Sequence, residues 1–172
     1  MKTLKNTLLS LVIFFGMSTT FAQGQLVNGK PYVISLPDGP DENVETLQTI
    51  YDAFATGDVA TLQKLISDDV VWNEAESFPY ADLNPYVGKK AVFEGIFGRI
   101  ATEWEYFKLT GIQIYPMYDD RVFATGFYEG KYKKTGKTVK MQMAHFCLIK
   151  DGKLVQFQQF ADTKKATQAI TK

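Results

Sequence analysis

Four strand-like segments fill the second half of the chain, and this run constrains the fold more than any other feature of the sequence. Turn signals at hairpin spacing separate the segments: Asp119-Asp120, Thr135-Gly136 and Asp151-Gly152. Consecutive strands that are joined by such short turns pair antiparallel. The sequence therefore predicts an antiparallel meander with strands at residues 109–115, 121–133, 138–149 and 153–160.

Helical periodicity marks the segments that precede these strands. Asp41 can cap the open amides of a first helix and Gly57 can end it, and apolar residues recur between them at helical spacing. Asp58 can cap a second, shorter helix, whose apolar stripe runs to Ile66 and which ends at residues 67–69. Residues 70–72 then favour a strand, and the polar, proline-marked residues 73–85 predict a loop.

A third helix is predicted from about residue 89 to residue 104, with its apolar residues on one side. Gly95 and Gly98 lie within it, and each costs about 1 kcal/mol relative to alanine in a helix. This cost indicates that another part of the chain packs closely against the helix.

Helices first and a meander second favour an α+β fold with helices on one face of a single sheet. Apolar residues occur at both parities along the strands, for example Met143 and Cys147 against Phe146 and Leu148. Such strands are covered on both faces. We therefore predict helices on one face and a homodimer formed through the outer face of the sheet.

The amino terminus has the pattern of a secretory leader. Lys2 and Lys5 precede an apolar stretch at residues 8–15, and small residues lead to a cleavage site after Ala22. The apolar stretch is shorter than the roughly 20 residues that a membrane-spanning helix needs. The sequence therefore predicts a signal peptide at residues 1–22, a secreted or periplasmic protein, and no stable membrane insertion after cleavage.

The remaining chain divides into an extended lead-in at residues 23–40, with a short strand near residues 32–35, and one domain at residues 41–172. Loss of the leader removes two lysines, so that 17 basic side chains face 19 acidic ones and the net charge changes from 0 to −2. This balance does not favour nucleic-acid binding.

Cysteine and histidine are scarce. Cys147 is the only cysteine, lies in an apolar run and is predicted to be an inert packed thiol. One histidine and no spaced pair of Cys or His residues do not form a metal site of the usual type. We predict no metal and no cofactor.

Three stretches together resemble the NTF2-like superfamily, and within it the SnoaL-like group related to polyketide cyclases and ketosteroid isomerases. They are YDAFATGD at residues 51–58, LISDDVVW at residues 65–72 and HFCLIKDGKL at residues 145–154. The resemblance covers roughly residues 42–165. It implies a cone-shaped fold in which a curved mixed or antiparallel sheet wraps around a long helix, with two further helices and an apolar cavity. It does not settle function, because this fold serves enzymes and binding modules alike.

The same resemblance points to Glu74, which falls at the position of the isomerase general base. Strand alternation places Glu74 on the same side as Trp72. A carboxylate beside an indole in a dry pocket has a raised pKa, which suits it to proton transfer. The alternative is that Glu74 is the first solvated residue of the loop.

Other family positions are altered in this chain. In the isomerases, a tyrosine on the first helix and an acid on a later strand belong to the site. The position of that tyrosine falls at Ile50, next to Tyr51, and the position of that acid falls near His145. SnoaL-like cyclases pair a strand histidine with an aspartate 14 residues later, and here His145 is followed at that distance by Gln159. Because glutamine has no ionisable proton, the usual cyclase mechanism loses its acid.

The hairpin at Asp151-Gly152 allows two registers. A two-residue turn places His145 opposite Gln158, whereas a three-residue loop with a bulge places it opposite Phe157. We prefer the second register, because it gathers apolar residues on one face: Met141, Met143, Cys147, Val155 and Phe157. In either case His145 could instead be a neutral core histidine.

Three functions remain open. The first is an exported protein that binds a small apolar molecule, with Glu74, His145 and Gln159 as polar contacts and further contacts from Trp72, Tyr51, Phe157 and Met143. The second is an isomerase, cyclase or dehydratase in which Glu74 is the base and His145 stabilises an enolate. The third is a non-catalytic dimerising module whose cavity is filled by side chains.

Overall fold

The computed structural model describes residues 41–172, together with the backbone of two short strands, Leu26–Val27 (β1) and Lys30–Pro31 (β2). These two strands pair antiparallel with each other. The predicted signal peptide and the predicted strand at residues 32–35 lie outside the described residues, as does the rest of the lead-in.

Residues 41–172 contain one mixed, curved sheet of six strands in the order β4-β3-β8-β7-β6-β5. β3 and β8 are parallel, and all other neighbours are antiparallel. The predicted meander is confirmed. The strands are Ile66–Asn73 (β3), Tyr86–Val87 (β4), Trp104–Pro116 (β5), Arg121–Tyr132 (β6), Thr138–Lys150 (β7) and Lys153–Ala161 (β8).

The first two helices begin and end where the capping residues predict. In α1 (Glu42–Thr56) the Asp41 carboxylate accepts from the amides of Asn43 and Val44, and Gly57 ends the helix with a left-handed φ of 71°. In α2 (Val59–Leu65) the Asp58 carboxylate accepts from the amide of Thr61. These caps satisfy backbone groups that a helix end leaves unpaired.

The predicted third helix is confirmed as one helical segment of three parts: Lys89–Val92 (α3), a π-helical stretch Phe93–Phe97 and Gly98–Glu103 (α4). The expected close contact is present at Gly95. A β-carbon there would lie 2.3 Å from the Tyr86 ring, which is itself fixed by a 2.8 Å hydrogen bond from its hydroxyl to the carbonyl of Tyr80. Glycine is therefore required for β4 to pack against the helix.

The start of β3 and the structure of the last residues differ from the sequence prediction. β3 begins at Ile66, so residues 67–69 belong to a strand and do not end the second helix, because Ile66 already pairs with Leu154 of β8. A terminal helix, Thr163–Ile170 (α5), was not predicted. Its inward residues are Ala166 and Ala169, which are too small to give a strong periodic signal.

The core lies between the helices and one face of the sheet. α1 packs against β5, β6 and β7. Along β7 the odd-numbered residues from Met141 to Ile149 are buried and the even-numbered ones are more exposed. Cys147 is completely buried, and burial raises the pKa of its thiol. On the opposite face Phe160 is 54% exposed, so within one chain the second face of the sheet is not fully covered.

Candidate functional site

An interior cavity lies between α1, the segment 89–103 and the buried face of the sheet. Its volume is about 50 Å³, enough for a few water molecules or a small chemical group. Most of the lining is apolar and aromatic. The lining residues that carry polar atoms are Tyr51, Trp72, Glu74, Tyr128, His145 and Gln159.

The sheet brings these polar groups together from distant parts of the sequence. Trp72 and Glu74 come from β3 and the residue that follows it, where alternation points both inward. Trp72 pairs with Phe157 of β8, and their rings stack with centroids 3.6 Å apart. His145 lies on β7 directly opposite Gln159 of β8.

This pairing of His145 with Gln159 corrects both predicted registers. Asp151 and Gly152 have φ values of 51° and 69°, and Lys150 pairs with Lys153, so the turn has two residues and the preferred three-residue loop is wrong. Farther along the hairpin the register shifts by one residue, which moves His145 from Gln158 to Gln159.

The extra residue at this shift is Val155, because Leu148 pairs with Gln156 and Ile149 pairs with Leu154. Val155 is only half-buried, whereas the other residues predicted for the same face, such as Cys147 and Phe157, are buried. The bulge allows both Leu154 and Phe157 to point into the core, which a regular strand with two residues between them does not permit.

Glu74 is a core residue and not a solvated loop residue, since only 3% of it is exposed. Its Oε1 accepts a 2.6 Å hydrogen bond from the indole Nε1 of Trp72. Its backbone is held by Asn84, whose amide group accepts from the Glu74 N–H at 3.0 Å and donates to the Glu74 carbonyl at 2.7 Å. Among the described residues, the buried Oε2 of Glu74 has no hydrogen-bond partner.

Burial raises the pKa of Glu74 from 4.5 to about 7, and the hydrogen bond from Trp72 and the proximity of the Gln159 amide act against this rise. Burial dominates because the charged form loses its hydration. Glu74 therefore changes its protonation state near neutral pH, which is the range that suits a general base.

His145 lies between two tyrosine hydroxyls. Its Nδ1 is 2.7 Å from the hydroxyl of Tyr51 on α1, and its Nε2 is 2.5 Å from the hydroxyl of Tyr128 on β6. Burial lowers the pKa of the imidazole from 6.5 to about 3. The ring is therefore neutral at ordinary pH, and both of its nitrogens are occupied by protein groups.

Gln159 also makes both of its bonds within the protein. Its Oε1 accepts from the backbone N–H of Ala75 at 3.2 Å, and its Nε2 donates to the hydroxyl of Tyr128 at 3.0 Å. It therefore holds Tyr128 and the chain after Glu74 in place, and its carbonyl oxygen and one of its two Nε2–H groups are engaged within the protein.

The structure brings together six of the seven residues predicted for the site, and Met143 is the exception. Met143 is buried in a second apolar cluster with Tyr128, Met141 and Trp104 and does not line the cavity. Tyr128 was missed. A two-residue turn at Thr135-Gly136 places Tyr128 opposite Met143 on the buried face, so its burial could have been predicted, although in the structure it pairs with Met141.

A surface groove of about 420 Å³ lies on the other side of the cavity wall. The groove and the cavity share five apolar lining residues, namely Phe54, Leu62, Phe97, Ile100 and Phe107. These side chains therefore form a partition between the cavity and the groove.

In the part of the chain that the structure describes, no helix combines the length and the apolar character needed to cross a membrane. Within the same residues, no three His, Cys, Asp or Glu side chains are grouped so that they could hold a metal ion.

Solved structures with the same architecture include an NTF2-like protein from Burkholderia thailandensis E264. It is 29% identical, with a TM-score of 0.67 over 77% of this chain and 100% of that chain. A Pseudomonas putida KT2440 protein assigned to the polyketide cyclases is 19% identical, with a TM-score of 0.65 over 77% of this chain and 100% of that one. TerC, crystallised with polyporic acid, is 21% identical, with a TM-score of 0.66 over 76% and 98%.

Comparison with curated proteins gives no match. The family model of the SnoaL-like domain matches residues 47–157, which is most of the chain and includes the larger part of α1, the segment 89–103 and nearly the whole sheet. The cavity, its partition and its polar residues, apart from Gln159, lie within the matched region. The fold and the family match agree with the resemblance noted from the sequence, and this chain belongs to the SnoaL-like domain family, within the NTF2-like superfamily.

Proposed function

We propose that this protein binds a small, largely apolar molecule whose polar end enters the cavity and hydrogen-bonds to Glu74. The observation that carries this proposal is the buried Oε2 of Glu74, which has no partner among the described residues. A buried acceptor without a partner costs about 1–3 kcal/mol, and more when it is charged. A ligand that donates to this oxygen recovers that free energy.

The rest of the cavity supports the same proposal. Small-ligand pockets are usually apolar with a few convergent polar groups, and this lining fits that pattern. The cavity itself holds only a small chemical group, whereas the groove beyond the five-residue partition is larger. The ligand therefore has a small polar head for the cavity and an apolar tail for the groove. The organic ligand of TerC supports this choice by analogy of fold.

A series of 1-alkanols from ethanol to octanol tests the proposal. We expect affinity, measured by NMR titration, to rise with tail length, and to be about fivefold to tenfold higher at pH 8.5 than at pH 5.5. The reason is that an ionised carboxylate accepts a stronger hydrogen bond than a neutral one, and burial sets the pKa of Glu74 at about 7.

Glu76→Gln is the matched control, because Glu76 is exposed on the same loop. This variant keeps the pH dependence, whereas Glu74→Gln loses it. Absence of binding throughout the series, or an affinity that does not change with tail length, would contradict the proposal.

A second candidate function is proton transfer at a carbon next to a carbonyl group. The pKa of Glu74 near 7 and the Tyr51 hydroxyl on the cavity wall favour it, because a base beside a hydrogen-bond donor can form and stabilise an enolate. Butanone in D₂O tests it by NMR. We expect deuterium exchange at the carbons next to the carbonyl that Glu74→Gln abolishes and Glu76→Gln retains. Exchange that is equal in all three proteins would exclude this function.

Export and dimerisation belong to the same proposal. The leader pattern at residues 1–22 supports export to the periplasm or the medium, and amino-terminal sequencing of the exported chain, expected to begin at Gln23, tests it.

The exposed Phe160 on the outer face of the sheet supports a homodimer. A monomeric mass in sedimentation equilibrium would exclude the dimer. The presence of a cavity with an unpaired acceptor favours ligand binding over a purely structural module.

A further inference from the structure

A chain of hydrogen bonds runs from the backbone of Ala75 to the cavity, and its direction can be deduced from one end. The Ala75 N–H can only donate, so the Gln159 atom 3.2 Å from it is the amide oxygen. The Gln159 Nε2 therefore faces Tyr128, 3.0 Å away, and as an amide nitrogen it donates to the Tyr128 hydroxyl oxygen.

The next link follows from the partners of Tyr128. Its hydroxyl has two hydrogen-bond partners in the described part of the chain, the Gln159 Nε2 and the His145 Nε2. Because the first of these is itself a donor, the His145 Nε2 is the acceptor that these contacts offer to the Tyr128 proton, and we assign the proton to that bond. That nitrogen is therefore the unprotonated nitrogen of the ring.

A neutral imidazole carries one N–H, which must then be at Nδ1. His145 is 2% exposed and has no carboxylate among its hydrogen-bond partners, so its hydrogen bonds supply no counter-charge for a protonated ring. Its Nδ1–H donates to the hydroxyl oxygen of Tyr51 at 2.7 Å. The proton of the Tyr51 hydroxyl then has no acceptor in the contacts of the described residues, and Tyr51 lines the cavity.

We infer that the Tyr51 hydroxyl is the hydrogen-bond donor that the cavity presents to its ligand, and that Gln159, Tyr128 and His145 are positioning residues that aim it. The unpaired Oε2 of Glu74 is the matching acceptor. The ligand head therefore joins an acceptor to a donor, as in a primary amide, a carboxylic acid or an enol. The ligand class rests on the proposed function, whereas the direction of the chain does not.

The tautomer of His145 tests the direction of the chain in the ligand-free protein. His145 is the only histidine, so labelling with ¹⁵N-histidine gives the two ring nitrogens of one residue. We expect a protonated Nδ1 and a bare Nε2 throughout pH 5–8. A protonated Nε2, or a ring that becomes charged in this range, would overturn the inference.

Two conservative variants test whether the hydrogen-bond chain has this direction or whether the two tyrosines only pack against His145. Tyr128→Phe removes the hydroxyl that donates to Nε2 among the described residues, so we expect both tautomers to become visible. Tyr51→Phe leaves that donor in place, so the Nδ1–H form is retained. Equal tautomer populations in the two variants would overturn the inference, and the wild-type spectrum decides if Tyr128→Phe does not fold.

Acetone and acetamide test the ligand class, because they have the same size and shape but only acetamide adds a donor to the acceptor. At pH 8.5 we expect acetamide to bind about tenfold more tightly than acetone. The reason is that the acetamide N–H donates one hydrogen bond to the charged carboxylate of Glu74, which acetone cannot do. Tyr51→Phe should weaken both probes by a similar factor, and Glu74→Gln should abolish the difference between them.

The outcomes are distinguishable. If the Nδ1–H tautomer is observed but neither probe binds, the proposed ligand-binding function fails and the direction of the hydrogen-bond chain stands. If both probes bind equally to the wild type, the paired donor and acceptor class is wrong although ligand binding is retained.

Discussion

Replacing Glu74 with glutamine is expected to stabilise the protein at pH 8.5 by up to about 3 kcal/mol and to leave its stability near pH 4 almost unchanged. The reason is the buried carboxyl group, whose pKa burial raises from 4.5 to about 7. A difference of this size between the folded and unfolded chains corresponds to about 3 kcal/mol, at 1.36 kcal/mol per pKa unit.

The direction of this effect follows from linkage. The folded state favours the protonated carboxyl, so the wild type retains this contribution below pH 4.5 and loses it as the pH rises through about 7. Glutamine cannot ionise and avoids that loss, while its Oε1 can still accept from Trp72. Urea unfolding of both proteins at several pH values measures the difference directly.

Glu76→Gln removes the same charge from an exposed position in the same loop and should follow the wild type at every pH. If Glu74→Gln also follows the wild type, Glu74 is solvated in the folded protein, and the proposed acceptor is lost with it. A stabilising substitution that also removes ligand binding would show that Glu74 is retained for function at the expense of stability.

The sequence predicts those features that short-range chemistry determines. Asp41 and Gly57 mark the ends of α1 because a capping carboxylate and a left-handed glycine act within a few residues of their positions. Glu74 was placed beside Trp72 because alternation in a strand relates residues two apart. The sequence predicted a close contact with the helix that contains Gly95, but it did not identify Tyr86 as the residue that makes this contact.

Features that depend on distant partners were not predictable in the same way. The parallel pairing of β3 with β8 joins segments about 85 residues apart and begins at Ile66, so it, rather than local propensity, determines where the second helix ends and β3 begins. The register of the last hairpin was missed because the bulge at Val155 arises from the packing of Leu154 and Phe157 and leaves no turn signal. Tyr128 was missed because its role depends on His145 and Gln159, on two other strands.

The altered family positions now have a common explanation. A glutamine stands where the cyclases have an acid, and it serves as a fixed donor and acceptor that orients Tyr128. The histidine is enclosed by two tyrosines and has no free nitrogen. Its role is to donate a hydrogen bond to Tyr51, which orients the Tyr51 hydroxyl proton. The group that can exchange a proton near neutral pH is Glu74 alone among these polar residues.

Trp72→Phe is expected to raise the pKa of Glu74 by a further 1–2 units, from about 7 in the wild type. The variant loses the 2.6 Å hydrogen bond from the indole Nε1 to Oε1, and a hydrogen bond to a charged group contributes about 1.5–3 kcal/mol. Phenylalanine can retain the ring stacking against Phe157, whose centroid lies 3.6 Å from that of Trp72. A ¹³C NMR titration of the glutamate carboxyl carbons measures the change.

The same substitution moves the pH range over which stability is lost. Because the carboxyl of the folded variant stays protonated to higher pH, the decline that ends near pH 7 in the wild type should continue to about pH 8–9. Trp104→Phe is the matched control, since Trp104 is also buried but donates its Nε1–H to the hydroxyl of Tyr80 at 2.8 Å, away from Glu74. An equal pKa for Glu74 in the two variants would mean that the indole of Trp72 does not stabilise the carboxylate, and Glu74 would then owe its pKa to burial alone.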